Sequence, residues 1–329
     1  MIVVLNGPLG VGKTEVSWKL AALFERSVML DGDYIGAVHP FILYDEERVT
    51  YLYRTICHLV AFHQRHGYTN FVVNYVFETP ETLGQLRRML VELDDVTYAY
   101  RLTCEARTLE ARVRRRGEER LEWQLHRCRE LSVLLEAAAD RGDVGLPVDT
   151  TARTPEQVAR AIWDDIHEEV RIAPYNADWP RRFAAEAAQI RAALGERALA
   201  IHHIGSTAVP GLPAKPIVDI MVAVRRLEDA IACIPPLRRL GYLFVDYPQN
   251  TDRRFFKKGK PRTHHLHIVE AGSDSLRRHL AFRDALRADP ALCRAYAALK
   301  RDLANRFQTD RAAYTENKTA FIERALRGG

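Results

Sequence analysis

The chain has 329 residues, with a hydrophobic fraction of 47%, a charged fraction of 28% and a formal net charge of +5. This length predicts two domains, and this composition excludes a disordered or membrane-embedded chain. The longest apolar runs, residues 1–5 and 217–224, have the length of strands and are much shorter than a membrane span.

The first half alternates predicted strands with predicted helices. Apolar runs of strand length occur at residues 1–5, 28–30, 71–76, 96–102 and 147–149. Helical spacing or helix-start signals occupy the intervals, at about 12–24, 45–66, 79 onward, 105–116, 119–139 and 154–169. Strands separated by helices predict an α/β domain with a doubly wound parallel sheet that is covered on both faces.

The pattern changes near residues 171–174, so we expect domains of 1–170 and 171–329. The second half predicts a helix over 178–195, strands over 199–204, 217–224 and 243–247, and a helix that ends at Gly241. Segments 253–257 and 264–269 face each other across Gly259-Lys260 and predict an antiparallel hairpin. The rest, about 275–326, is predicted to be helical, so this half is α+β.

Residues 7–14 read Gly-Pro-Leu-Gly-Val-Gly-Lys-Thr and fit the P-loop (Walker A) pattern G-x-x-x-x-G-K-[ST] at every fixed position. A strand precedes the loop and a helix follows it, as the motif requires, and the alternative is an ordinary glycine-rich turn between a strand and a helix. Inward-turned N–H groups and the helix N-terminus favour a phosphate here. We expect Lys13 to reach the β- and γ-phosphates of ATP or GTP, and Thr14 to bind Mg²⁺. The expected nucleotide contacts are Gly7, Gly10, Val11, Gly12, Lys13, Thr14 and Glu15.

Around this loop, the first half resembles the small P-loop kinases, a group that includes nucleotide, shikimate, gluconate and adenylylsulfate kinases. Asp31 and Asp33 follow the second strand, where such kinases place an acid that orients or deprotonates the acceptor hydroxyl. The run 109–116 is similar to their arginine-bearing lid, and Arg112 and Arg116 share one helix face. Asp149, at the end of the last strand, is similar to the turn beside the nucleotide base.

Plain structural roles remain open for these residues. The two aspartates could cap a helix or a turn, and the arginines could form a solvated helix face. Asn74 lies on the third strand, where an acidic residue near Mg²⁺ would be more usual, so the metal arrangement is open. The loop also differs from the G-G-x-G-S-G-K-S of dephospho-CoA kinases, and no Asp-Ala-Asp turn follows it.

The segment 203–220 reads HIGSTAVPGLPAKPIVDI, a close match to the signature of the GrpB family. Further matches follow in order between residues 172 and 326; they are Pro174-Tyr175, Trp179, His264-His265-Leu266-His267, Phe282-Arg283-Asp284, Leu286-Arg287, Tyr296, Lys300, Tyr314 and Lys318. On these residues the second half resembles GrpB proteins, which are similar to nucleotidyltransferase-fold domains.

That resemblance implies a triphosphate-binding turn at Gly205-Ser206 and a metal-binding carboxylate at Asp219. The position of a second carboxylate is Met221, and one carboxylate cannot hold a two-metal clamp. Either His265 or His267 completes a single-metal site, or the domain binds a ligand without transferring it.

Three cations around this pocket, Lys215, Arg254 and Lys257, are candidate phosphate contacts, with solvated surface as the alternative. His203, His265 and His267 could instead be hydrogen-bonded, partly buried histidines.

Together these patterns predict a kinase that transfers a phosphoryl group to a small hydroxyl-bearing molecule, such as a nucleoside, a nucleotide or an antibiotic-like compound. The alternatives are an ATP-binding regulatory protein with slow hydrolysis, or a nucleotidyltransferase that acts through the second domain. Acceptor specificity is expected to depend on residues 31–44 and 74–79. Five cysteines without a CxxC pair and the absence of a basic leader predict a cytoplasmic protein. We expect neither a membrane nor a nucleic-acid partner.

Overall fold

A computed structural model describes residues 1–39, 42, 45–117 and 120–327. The chain divides into two compact units, residues 1–166 and 167–329. In this described part of the chain, none of the helices combines the length and the hydrophobicity that a membrane span needs. The five cysteines are free thiols.

The first unit is built on a five-stranded parallel sheet, which confirms the predicted α/β fold. Its strands are β1 (Ile2–Asn6), β2 (Ser27–Asp31), β3 (Asn70–Asn74), β4 (Thr97–Thr103) and β5 (Leu146–Asp149). Their order in the sheet is β2-β3-β1-β4-β5. The helices are α1 (Lys13–Ala21), α2 (Gly32–Ile35), α3 (Glu46–Arg65), α4 (Pro80–Leu90), α5 (Ala106–Arg116), α6 (Leu121–Ala138) and α7 (Pro155–Ile166).

Burial on both faces explains why β1 is a continuous apolar run. Ile2 and Val4 belong to a core cluster that includes Ile56 of α3 and Leu86 of α4. Successive side chains of a strand point to opposite faces, so Val3 and Leu5 face the other side, and they are equally buried. Parallel strands covered on both faces are typically apolar throughout.

The first unit contains a short α-helix, α2, that the sequence did not predict. The short helix α2 begins directly after β2, and the side chain of Asp31 caps it by accepting a hydrogen bond from the N–H of Asp33. The helix predicted from residue 119 is observed from Leu121, and residue 119 itself lies outside the described residues.

The second unit contains a mixed five-stranded sheet. Its strands are β6 (Ala200–Ile204), β7 (Val218–Val224), β8 (Tyr242–Val245), β9 (Arg253–Lys258) and β10 (His264–Glu270), in the order β6-β7-β10-β9-β8. Strands β7 and β10 are parallel, and the other pairs are antiparallel, including the predicted β9–β10 hairpin. The helices are α8 (Trp179–Leu194), α9 (Ile234–Arg239), α10 (Asp274–Ala288), α11 (Pro290–Arg306), α12 (Arg311–Glu316) and α13 (Thr319–Arg327).

The two faces of this sheet have different cores. Ile220 of β7 packs in a large apolar cluster with side chains of α8 and α9, such as Ile190 and Leu237. Met221 points the other way, into a smaller cluster with Leu276 of α10. Because strand residues alternate, Asp219 shares the face of Met221. Asp219, the predicted site residue of β7, therefore lies on the face of the sheet that α10 covers.

Candidate functional site

The loop between β1 and α1 turns at glycines that no other residue could replace without strain. Gly7 and Gly10 have φ angles of 147° and 81°, which residues with a side chain rarely adopt. A Cβ atom on Gly10 would lie 2.5 Å from a methyl group of Val113, and one on Gly7 would lie 2.8 Å from the carbonyl oxygen of Leu102. Helix α5 and strand β4 therefore pack directly against the loop.

Asn6 braces the start of this loop, and the sequence analysis did not single it out. Its buried Nδ2 donates to the carbonyl oxygens of Phe77 (2.9 Å) and Val144 (3.0 Å). Its Oδ1 accepts from the N–H groups of Gly7 (2.7 Å) and Phe77 (2.9 Å). A polar residue at the end of an apolar strand was the available signal, since a buried amide needs such partners.

Lys13, the first residue of α1, lies over the loop. Its Nζ donates to the carbonyl oxygens of Gly7 (3.0 Å) and Pro8 (3.2 Å), and the side chain is buried. Burial lowers the pKa of Lys13 to about 8, although the negative charges of Asp33 and Asp31 oppose this effect. A phosphate group at the loop would favour the charged ammonium again.

Thr14 and the two aspartates form a connected group at the ends of β1 and β2. The Thr14 hydroxyl donates to Asp31 Oδ2 at 2.9 Å, and Asp31 Oδ1 accepts from the N–H of Asp33 at 3.0 Å. Burial raises the pKa of Asp33, and the nearby charge of Lys13 opposes that rise. Both carboxylate oxygens of Asp31 therefore accept hydrogen bonds. Burial makes the Asp33 carboxylate a stronger base.

The structure gives a physical account of Asn74, which departs from the expected acidic residue. Asn74 pairs in register with Asp31 on the adjacent strand β2. Its Oδ1 is buried and has no hydrogen-bond partner among the described residues, and its Nδ2 has a long contact of 3.7 Å to the sulfur of Met29. The carboxylate that contacts Thr14 thus comes from β2 instead of β3.

Arg112, which was expected to belong to a lid, contacts the turn after strand β5. Its Nη1 donates to the Thr150 hydroxyl at 2.9 Å, and its Nη2 donates to the Thr150 carbonyl oxygen at 2.7 Å. Asp149 closes the same turn by accepting from the hydroxyl of Thr151 at 2.6 Å. Arg112 thus holds the turn after β5, whereas Arg116 is exposed on α5 and its positive charge acts on Lys13.

Two buried arginines that no motif marks lie close to the acceptor segments. Arg48 of α3 reaches the hydroxyl of Tyr75 at 3.4 Å, and its charge acts on Asp33. Arg127 of α6 forms an ion pair with Glu78. Tertiary packing creates both environments, so no local sequence pattern indicates them. The predicted acceptor segment 31–44 lies partly outside the described residues.

In the second unit, the turn after β6 lies against a carboxylate. Gly205 has a φ of 69°, and a Cβ atom on it would overlap the Asp219 carboxylate. Asp219 Oδ1 lies 3.1 Å from His265 Nδ1 on the neighbouring strand β10. Burial alone would raise the pKa of Asp219, but the hydrogen bond from His265 and nearby positive charge lower it below its ordinary value.

The described residues around Asp219 do not provide a metal-ligand set. Met221 occupies the place of a second carboxylate and is buried in the core beside α10. His267 packs against Phe255, with ring centres 5.1 Å apart, and burial lowers its pKa well below the ordinary value. In the residues that the structure describes, histidine, cysteine and carboxylate side chains do not gather in threes where an ion could be held.

Strand alternation separates the predicted cations of this pocket. Lys257 pairs in register with His265 and so shares its face of the sheet. Arg254 pairs with Ile268, whose side chain belongs to the core under α8 and α9. Arg254 therefore lies on the opposite face and does not join the pocket in this structure. Its neighbour Arg253 is on the face of His265.

His203 has the surroundings of a hydrogen-bonded, buried histidine, which was the alternative to a role in ligand binding. Its Nε2 lies 3.0 Å from the Thr207 hydroxyl, and its ring stacks on Phe183 with centres 4.6 Å apart. Burial lowers the pKa of His203 to about 4, so the ring is neutral near pH 7. Through its contact with Thr207, His203 supports the chain directly after the Gly205-Ser206 turn.

Two kinases are among the proteins similar to this chain. A gluconokinase structure from Sinorhizobium meliloti is 18% identical, covers 48% of this chain and 86% of that chain, and has a TM-score of 0.38. A dephospho-CoA kinase from Mycolicibacterium paratuberculosis is 30% identical over 197 residues, which are 52% of this chain and 47% of that protein. The chain thus spans about half the length of that relative, and neither likeness identifies a substrate.

The second half has the stronger matches. The GrpB protein family profile matches residues 169–327. A UPF0157 protein from Pseudomonas aeruginosa is 44% identical over 170 residues, which cover 50% of this chain and 69% of that protein. The glutamate-rich protein GrpB from Alkalihalophilus pseudofirmus is 34% identical over 164 residues, which cover 48% of this chain and 94% of that protein. These matches confirm the resemblance found at residues 203–220, and the chain belongs to the GrpB protein family.

Proposed function

We propose that the first unit is a phosphotransferase that uses Mg²⁺ with ATP or GTP and acts on a small hydroxyl-bearing molecule. One observation carries the proposal: at the carboxyl ends of β1 and β2, the buried Lys13 ammonium adjoins the hydrogen-bonded group of Thr14, Asp31 and Asp33. Ligands of open α/β sheets bind outside the carboxyl ends of the strands, where the strand order reverses. Strand β1, with β3 and β4 on either side, occupies that place.

In this proposal Lys13 and the loop N–H groups bind the β- and γ-phosphates. Lys13 already lies over the loop, held by the carbonyl oxygens of Gly7 and Pro8, so its position requires little rearrangement. The pKa of Lys13 is lowered because its charge is buried and only partly balanced by negative charge. A bound phosphate supplies the missing negative charge. The Lys13 ammonium also stabilises the negative charge that develops on the transferring phosphoryl group.

The donors around Thr14 fit Mg²⁺, which prefers oxygen ligands and keeps several waters when it binds phosphates. Thr14 would hold the ion through its hydroxyl, and Asp31 orients that hydroxyl. Bound Mg²⁺ neutralises charge on the phosphates. Because phosphate and water oxygens complete the coordination, a cage of protein carboxylates is not required.

Asp33 is the residue that we assign to the acceptor. Its pKa is raised by burial, so it can accept the proton of a hydroxyl group closer to neutral pH than an ordinary aspartate. Asp31 has both oxygens engaged, by Thr14 and by the N–H of Asp33. Arg116 would approach the transferring group, while Arg112 and Asp149 shape the turn that we assign to the nucleotide base.

Replacing Lys13 should abolish most of the transfer. We expect Lys13→Ala to lower turnover by about a hundredfold or more, the scale of one lost preorganised donor. The assay follows γ-labelled phosphate from ATP to nucleosides, nucleotides, pantetheine derivatives and hydroxylated antibiotics. Lys19→Ala on the exposed side of the same helix is the matched control and should keep its activity. Near-normal turnover in Lys13→Ala would refute the assignment.

Substitutions of the two aspartates should have different effects on the kinetics. We expect Asp33→Asn to lower kcat by about 10² to 10⁴, the usual contribution of a general base. Asp31→Asn should instead raise the Mg²⁺ concentration needed for half-maximal rate, because Thr14 loses its carboxylate partner. Steady-state kinetics across a Mg²⁺ series measures both effects. The division of roles is wrong if the two variants show the same kcat and the same Mg²⁺ requirement.

Nucleotide affinity should fall as the pH rises through 8. Free Lys13 has a pKa of about 8 and must be protonated to bind phosphate, so each further pH unit should weaken binding by up to about tenfold until the higher pKa of the bound state is reached. Titrations with Mg·ATP between pH 7 and 9.5 measure this slope. Lys13→Met, which has no titrating group, should lack that component. Identical slopes in both proteins would contradict the prediction.

A further inference from the structure

We infer that the second unit binds a phosphorylated small molecule with two or more negative charges, in a pocket formed by Lys215, Lys300 and Lys318 around Asp219. The three lysines come from separate parts of the chain. Lys215 precedes β7, Lys300 lies on α11, and Lys318 lies between α12 and α13. The charge of Asp219 acts on all three ammonium groups. The fold has therefore gathered three cations around one carboxylate.

Two of these ammonium groups lie against the same aromatic ring. The Nζ atoms of Lys215 and Lys318 lie 4.4 Å and 4.3 Å from the ring centre of Tyr314, which is buried. Within the described residues, neither ammonium has a hydrogen bond or an ion pair. A cation–π contact holds a lysine in place but leaves its N–H donors available for an oxygen ligand. Both ammonium groups therefore keep donors for an anion that has several oxygens.

Lys300 connects the pair to the turn after β6. It is 2% exposed, and its Nζ donates to the Ser206 hydroxyl at 2.9 Å and to the carbonyl oxygen of Pro213. Lysine is almost never fully buried unless its charge is paired. Here two neutral oxygens accept from the ammonium group, and the negative charge of Asp219 also acts on it. Lys300 holds the Gly205-Ser206 turn at the edge of the pocket.

The charges explain why an anion would bind. Burial lowers the pKa of Lys215 and of Lys300 to about 7 and that of Lys318 to about 8, and further positive charges nearby add to the effect. With all three protonated, they exceed the charge of Asp219 by two. A diphosphate or triphosphate group restores the balance and offers enough oxygens for several ammonium groups.

The same geometry argues for binding without nucleotidyl transfer. Asp219 is paired with His265, and Met221 occupies the position from which a second carboxylate would complete a two-metal site. The pocket thus has the cations that hold phosphates but lacks the metal ligands that would activate them. The ligand could be a nucleotide or a simple polyphosphate, which share this chemistry.

Calorimetric titration of the full-length Lys13→Ala protein tests this proposal, because that change weakens phosphate binding at the first unit. Inorganic triphosphate and ATP are titrated separately, without Mg²⁺. We expect one site, and we expect Lys215→Gln with Lys318→Gln in the same background to weaken triphosphate binding about a hundredfold, since each charged hydrogen bond contributes about a factor of ten. Tighter binding of ATP than of triphosphate identifies a nucleotide, and equal binding identifies a polyphosphate.

The control is Lys260→Gln, an exposed lysine on the β9–β10 turn, which should leave the affinity unchanged. Thermal melting of each variant shows whether the second unit is still folded, and Lys300 is left intact because it supports the turn. Unchanged triphosphate affinity in the folded double variant would overturn the proposal, as would the absence of triphosphate binding to the folded Lys13→Ala protein. Neither result bears on transfer by the first unit, which the Lys13→Ala kinetics test separately.

Discussion

Parallel pairing of β1 to β5 is the constraint on which the first unit depends. Because all five strands run in one direction, their carboxyl ends meet at one edge of the sheet. This edge brings together Asn6, Asp31 and Asn74, and the glycine loop after β1 extends from it. Helix α5 then packs on Gly10 and closes the loop from one side. The polar groups of the candidate site follow from this arrangement, since the interior of the sheet is apolar.

Local patterns were sufficient to predict the strands, the longer helices and the loop. The apolar run of β1, the glycines and Lys13 occupy adjacent positions, and the proline-containing helix start at Thr79 forms its predicted cap. The roles of Asp31 and Arg112 could not be read in this way. Asp31 contacts Thr14 from β2, beside Asn74 of the neighbouring strand β3, and Arg112 bonds to Thr150, a residue distant in sequence. Both outcomes depend on tertiary pairing that no local window contains.

The second unit shows how a family signature can be explained by contacts. Arg283 and Arg287 of α10 donate to the carbonyl oxygens of His203 and Ala208, so this part of the signature braces the turn that carries Ser206. The sequence predicted contacts at the Gly205-Ser206 turn and at Asp219, and it also predicted Arg254, which lies on the other face of the sheet. The lysines of α11 and of the α12–α13 turn approach the pocket only through the helical packing of the C-terminal region. Their chemistry was visible in the sequence, whereas their proximity was not.

The central claim, that the first unit transfers a phosphoryl group to a small molecule, can be tested without choosing an acceptor. The full-length protein and its Lys13→Ala variant are incubated with a metabolite extract, Mg²⁺ and ATP labelled with ¹⁸O in the γ-phosphate, and the products are compared by mass spectrometry. The account predicts a phosphorylated metabolite that carries the label and forms only with the unaltered protein. If the label appears only in inorganic phosphate, the account is contradicted. The first unit would then be a switch that hydrolyses ATP.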